Sequence, residues 1–130
     1  MKYLGIDFGS RRVGIAVSDD TGSIAFPRTV LANDRGVVAE IQKIVADETI
    51  EHVIVGDTRT IEGAANPITK DADTFIKTLA SVLAIPVTPM WEGWSSVEAA
   101  RYAPKGEEHN DAAAAAIILQ RYVDTHAINP

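Results

Sequence analysis

The sequence lacks cysteine, and it lacks any long apolar run. The first absence excludes disulfide bonds and metal sites with thiolate ligands. The second excludes a membrane-spanning helix, which needs about 18 consecutive apolar residues. Asp7 interrupts the short apolar run near the N-terminus, so we expect no signal peptide. We therefore expect a cytoplasmic protein without membrane contact, folded as a single domain over residues 1–130.

Positive charge is also scarce, because 12 Lys and Arg residues face 18 Asp and Glu residues, for a net charge of -6. Proteins that bind nucleic acid over a broad surface are usually basic. The charge balance therefore counts against a general nucleic-acid-binding protein. It does not exclude an enzyme that contacts nucleic acid at one local site.

The spacing of the apolar residues alternates along the first three predicted elements, which is typical of strands, and later segments include the spacing of three to four residues that is typical of helices. Pro27 cannot donate to a ladder, so the third strand is expected at a sheet edge. The order βββαβαβαα predicts an α/β fold with a mixed five-stranded sheet flanked by helices. The predicted strands cover residues 2–8, 12–18, 23–31, 51–56 and 85–91, and the predicted helices cover residues 34–48, 67–83, 95–102 and 110–124.

Four carboxylates fall where this topology would place them at one edge of the sheet. Strands one, four and five should run parallel, so their carboxyl ends meet. Asp7 lies near the end of the first strand, Asp57 and Glu92 follow the other two, and Asp111 lies in the first turn of the last helix. Hard oxygen ligands favour Mg²⁺ or Mn²⁺. Each carboxylate also has an alternative interpretation. Asp111 could simply stabilise the N-terminus of its helix, and Asp57 and Glu92 could be ordinary loop residues.

Two segments carry a resemblance to a known family. Residues 5–19 read GIDFGSRRVGIAVSD, and residues 111–120 read DAAAAAIILQ. The first resembles the pattern G-(I/V)-D-x-G-x-x-R-(I/V)-G-(I/V)-A-x-S-D of the YqgF/RuvX family, and the second resembles that family's D-(A/S)-x-A-A-x-x-(I/L)-L-Q. The family comprises Holliday junction resolvases and nucleases of the ribosomal RNA precursor, and the element order agrees over essentially the whole chain.

The resemblance implies an RNase H-like fold and a nuclease that depends on Mg²⁺ or Mn²⁺. It implies that Asp7, Glu92 and Asp111 are the catalytic, metal-binding carboxylates. Arg12 matches the family arginine and is expected to bind a substrate phosphate, with Arg11 beside it. The expected partners are structured RNA, including ribosome precursors, or branched DNA. The chain would act as a monomer or, for symmetric junction cutting, as a homodimer.

Three departures from the family weaken the expected nucleic-acid contacts. Gly93 replaces an arginine beside Glu92, the segment after the fourth strand reads GDT instead of GLP, and residues 104–109 form a short acidic loop. They leave open a second hypothesis, a non-catalytic nucleic-acid- or ribosome-binding module with a degenerate site. A sugar kinase of the actin-like class would need two such lobes, and 130 residues supply one.

Overall fold

The computed structural model describes residues 1–56, 67–90 and 110–127. These ranges contain five strands and three helices, which we number in chain order. The strands are β1 (Tyr3–Phe8), β2 (Arg12–Ser18), β3 (Ala25–Ala32), β4 (His52–Gly56) and β5 (Val87–Met90). The helices are α1 (Val37–Asp47), α2 (Pro67–Val82) and α3 (Asn110–Ala127). None of the described helices has the length and apolar character that a membrane span requires.

The five strands form one mixed sheet in the order β3-β2-β1-β4-β5. β1 pairs parallel with β4, and β4 pairs parallel with β5, as the crossover argument predicts. β2 is antiparallel to both of its neighbours. β3, which contains Pro27, lies at the edge of the described sheet, so this prediction is also confirmed.

Large apolar side chains fill the side of the sheet that faces α1 and α2. Strand alternation directs Leu4, Ile6 and Phe8 of β1 to this side, together with Val13 and Ile15 of β2. The helices contribute a matching stripe of buried residues, Val37, Ile41, Ile44, Ala72, Phe75 and Leu79. This cluster is the larger of two apolar cores, and we call its side the α1/α2 face.

The opposite side of the sheet, the α3 face, combines strand glycines with a smaller apolar cluster. Gly5, Gly14 and Gly56 present no side chain to α3, and Ala114 and Ala115 of the helix are fully buried against the strands. A Cβ atom added at Gly5 would lie 2.7 Å from the Leu119 Cβ, which is closer than real contacts allow. The helix backbone therefore rests almost directly on β1 and β2, as its alanine run predicts.

Most differences from the predicted elements lie at their ends. α1 begins at Val37 instead of residue 34, because the Asp34 carboxylate accepts from the Gly36 N–H at 2.9 Å in a turn before the helix. α3 continues to Ala127, past the predicted end at residue 124. The short helix predicted over residues 95–102 lies outside the described residues.

Candidate functional site

Asp7 is a buried carboxylate near the end of β1. Its side chain belongs to the α3 face by alternation, since Ile6 and Phe8 point into the opposite core. Asp7 retains only 3% of its exposure to solvent, and Ser18 is the other buried polar residue among those described. Burying a carboxylate costs several kcal/mol unless partners compensate its charge. The burial of Asp7 therefore requires a partner that compensates its charge.

Asp111 is brought to Asp7 by a glycine. Gly14 of β2 is the register partner of Asp7, so their Cα atoms lie about 4.5–5.5 Å apart. The Asp111 backbone carbonyl occupies the space that a Gly14 side chain would fill. The first turn of α3 therefore sits over the Asp7–Gly14 pair. The backbone of Asp111 therefore lies on the α3 face beside the strand pair that bears Asp7, and the shared metal site stays a prediction.

Arg12 joins this pair through the carboxylate of Asp111. The Arg12 Nε donates to Asp111 Oδ2 at 2.9 Å, across 99 residues of sequence. The Arg12 side chain is 57% exposed and the Asp111 side chain 21% exposed, so the ion pair lies at the mouth of the site. An arginine side chain has five N–H donors. Those on its terminal nitrogens form no hydrogen bond with another described residue, and they can still reach a phosphate.

Arg11, the second predicted substrate contact, precedes Arg12 in the turn before β2. It is exposed, and its side chain bonds to none of the described residues. Its backbone carbonyl accepts from the Asn33 N–H at 2.9 Å, and the Asn33 side-chain amide donates to the Gly9 carbonyl at 2.7 Å. These bonds tie the β1–β2 turn to the end of β3. The guanidinium of Arg11 is left facing solvent on a fixed backbone.

Gln120 is a residue whose function sequence reasoning missed. Its side-chain amide accepts from the Ala25 N–H at 2.8 Å and donates to the Ser23 carbonyl at 3.0 Å. It thereby pairs α3 with the start of β3 as another strand would. The same Nε2 donates to Asp124 at 2.9 Å. Gln120 fixes how far α3 slides along the sheet, and therefore where Asp111 lies. Its place at the end of the second family motif was the available signal.

The remaining carboxylate candidates, Glu92 and Asp57, lie outside the described residues. Met90 ends β5 two positions before Glu92 and packs against the α3-face core. Within the described ranges no three His, Asp or Glu side chains form a metal-binding group. Asp7 and Asp111 are the two predicted ligands that the described part contains, and both offer only hard oxygen donors.

Asp19 and Glu48, which lie apart from Asp7 and Asp111, have lowered pKa values. Backbone N–H groups of Ser23 and Ile24 donate to Asp19 and lower its pKa, so this residue orders the β2–β3 turn. Hydrogen bonds from Arg28 and then Lys2 lower the pKa of Glu48. The Glu48 contact ties the Arg28 side chain, which projects from β3, to the end of α1.

Comparison with known proteins adds independent findings. The family model described as RuvX, Holliday junction resolvase, matches residues 1–125. A relative from Chloroflexus aggregans, provisionally named pre-16S rRNA nuclease, is 35% identical over 93% of this chain and 92% of its own. A relative of the same name from Oleidesulfovibrio alaskensis is 41% identical over 76% of this chain and 70% of its own.

Two solved structures with a similar fold are resolvases. Thermus thermophilus RuvC in complex with a Holliday junction substrate superposes with a TM-score of 0.63 at 16% identity, over 98% of this chain and 96% of that one. Fowlpox virus resolvase in complex with Holliday junction DNA gives 0.61 at 13% identity, over 97% and 99% of the two chains. At such low identity these likenesses speak for the fold alone. The expected RNase H-like α/β architecture is confirmed.

Proposed function

Because this chain belongs to the RuvX family of nucleases, we propose that it hydrolyses phosphodiester bonds with Mg²⁺ or Mn²⁺ held by Asp7, Glu92 and Asp111. The substrate we propose is structured RNA, namely the ribosomal RNA precursor in the cytoplasm, with branched DNA as the competing substrate. One observation carries the proposal. The buried Asp7 and the helix turn that bears Asp111 lie against each other across Gly14.

The residues present fit a divalent cation of the hard class. Both described carboxylates offer oxygen atoms only, and the chain has no cysteine that would favour a softer metal. Glu92, two residues beyond β5, would complete the set. A bound cation of this kind stabilises developing negative charge and makes water a stronger nucleophile. Hydrolysis then joins a water oxygen to phosphorus and breaks the bond from phosphorus to a sugar oxygen.

The protein side chains orient this chemistry. The Arg12 bond holds Oδ2 of Asp111, and Oδ1 accepts no hydrogen bond within the described part of the chain. The carboxylate is therefore fixed in one orientation with a lone-pair face available. Arg12 and Arg11 would bind the phosphate that carries the scissile bond or its neighbour. The burial of Asp7 keeps its carboxylate in a single position and excludes competing water.

The test is cleavage of an end-labelled precursor rRNA fragment and of a four-way DNA junction by the purified chain with Mn²⁺. We expect cleavage of the RNA, and a loss of at least about a hundredfold in Asp7→Asn and Asp111→Asn. Asp73→Asn removes one exposed carboxylate from α2 and is the matched control. Equal cleavage by Asp7→Asn and wild type would contradict the mechanism. Cleavage of the junction alone would reassign the substrate.

A non-catalytic module remains the second candidate, because Arg12 already occupies one oxygen of Asp111. The net charge of -6 and the glycine beside Glu92 point the same way. Calorimetric titration with Mn²⁺ distinguishes the two. A nuclease site gives a binding heat that Asp7→Asn abolishes and Asp73→Asn preserves. A degenerate site gives no such heat, and the chain then binds precursor RNA without cutting it.

A further inference from the structure

A groove runs along β3 at the open edge of the sheet. Its volume is about 550 Å³, within the about 300–1,000 Å³ of typical ligand pockets. Residues 27–32 of β3 form its length. Arg11, Arg12 and Ala112 line it as well, and the register of Arg12 with Ala32 places that arginine at the far end of the strand.

The charge of the groove is opposite to that of the whole chain. Three arginines line it, Arg11, Arg12 and Arg28, and none of its described lining residues is acidic. The chain as a whole carries -6. Arg28 shares its charge with Glu48 and Arg12 shares with Asp111, whereas Arg11 has no acidic partner among the described residues. A local positive groove on an acidic protein favours a polyanionic ligand at this one place.

The dimensions suit one extended chain. Arg28 and Ala32 are four residue steps apart along β3, or about 13 Å at roughly 3.3 Å per step. That length matches about four stacked nucleotides at a rise of about 3.4 Å each. β3 pairs with β2 on one side within the described sheet, so N–H groups along its outer edge have no strand partner there and can donate to phosphate oxygens. Pro27, Val30 and Leu31 offer apolar surface for bases.

The groove is continuous with the carboxylate site. Arg12 lines the groove and bonds Asp111, and the next residue of α3, Ala112, also lines it. A strand that lies along β3 therefore arrives at Asp111 without crossing a gap. We propose that the groove binds an unpaired strand of RNA or DNA that flanks the scissile phosphate, with Arg28 at the distal end and Arg12 at the proximal end. This inference rests on the proposed nuclease function.

An exposed strand edge can also pair with a peptide or with a second copy of the chain. The three arginines argue for the nucleic acid, since a peptide strand needs backbone partners and not positive charge. Two exposed apolar side chains, Phe26 at the start of β3 (48% exposed) and Ile24 just before it (52% exposed), do not line the groove.

Binding without cleavage tests the proposal directly. Full-length Asp7→Asn, with EDTA present, is titrated into a labelled single strand of about ten nucleotides and into a blunt duplex of the same sequence. Arg11→Gln and Arg28→Gln are each added to this parent. Each should weaken single-strand binding about two- to fivefold and reduce the slope of log K against log salt by about 0.7. Duplex binding should change less. Arg28→Lys should restore most of the loss.

Lys43→Gln is the matched control, because it removes one exposed positive charge from α1, on the opposite face of the sheet. Loss of affinity equal to that of the control, or an unchanged salt slope in both arginine variants, would overturn the proposal. So would a concentration-dependent dimer in sedimentation that Arg28→Gln dissociates while oligonucleotide binding stays intact. Cleavage assays on the wild-type protein separate the groove proposal from the proposed nuclease function. Arginine-dependent binding without any cleavage would contradict the nuclease function alone.

Discussion

The two faces of the sheet are built on different principles. The α1/α2 face is packed with branched and aromatic side chains such as Ile6, Ile15 and Phe75, all nearly inaccessible to water. The α3 face has strand glycines beneath α3, so the helix backbone approaches the strands closely, and Ile118 and Leu119 of the helix are fully buried there. Apolar burial stabilises a fold roughly in proportion to the area removed from water. The larger apolar cluster lies on the first face, and the second combines a smaller apolar cluster with a close approach of the helix backbone.

What that close approach achieves is the placement of Asp111. A larger residue at Gly14 would hold the first turn of α3 away from the strand that bears Asp7. Gln120 sets the position of the helix along the strands by bonding the Ser23 and Ala25 backbone. We therefore expect the α1/α2 face to matter chiefly for stability and the α3 face for the position of Asp111. The neighbouring β2 residues Ile15 and Gly14 allow each expectation to be tested separately.

Ile15→Ala should break the scaffold and leave the site intact. Ile15 is fully buried on the α1/α2 face, so its truncation should lower the free energy of unfolding by about 2–5 kcal/mol. Urea denaturation followed by tryptophan fluorescence measures this. Val17→Ala, on the same face but only partly buried, should cost less. Below the denaturation midpoint, the folded Ile15→Ala protein should cleave within about twofold of wild type. Stability equal to wild type would contradict the division between the faces.

Gly14→Ala should do the opposite. Its added methyl overlaps the Asp111 carbonyl, and backbone must move to accept it. A displacement of about 1 Å in a catalytic group can cost about a hundredfold in rate. We expect a loss of that order in Mn²⁺-dependent cleavage. Gly36→Ala is the control, because its added Cβ would lie 3.4 Å from the Asp34 side chain, an ordinary contact. Full activity in Gly14→Ala would show that Asp111 need not touch β2.

The sequence predicts much of this arrangement, because period and order are local signals. Alternation along β1 and β2 assigns the two faces, and the alanine run of α3 predicts the close docking that places the Asp111 backbone at Gly14. The bond between Arg12 and Asp111 spans 99 residues and depends on how α3 docks, so spacing alone cannot reveal it. The hydrogen bonds of Gln120 and the groove along β3 escape prediction for the same reason. They arise from tertiary register, which a pattern of single residues does not encode.

Substitution of Arg12 should have the smallest effect. It distinguishes the affinity of the site for a cation from its affinity for a nucleic-acid strand. Its guanidinium competes with a cation for Asp111 and repels it, so Arg12→Gln should tighten Mn²⁺ binding about two- to fivefold. The same change should weaken single-strand binding, because Arg12 lines the groove. Arg11→Gln is the matched variant, since Arg11 lines the groove without bonding Asp111. It should weaken strand binding and leave the calorimetric Mn²⁺ affinity unchanged. If both variants shift Mn²⁺ affinity equally, the effect is that of general charge, and the Arg12–Asp111 bond does not control the site.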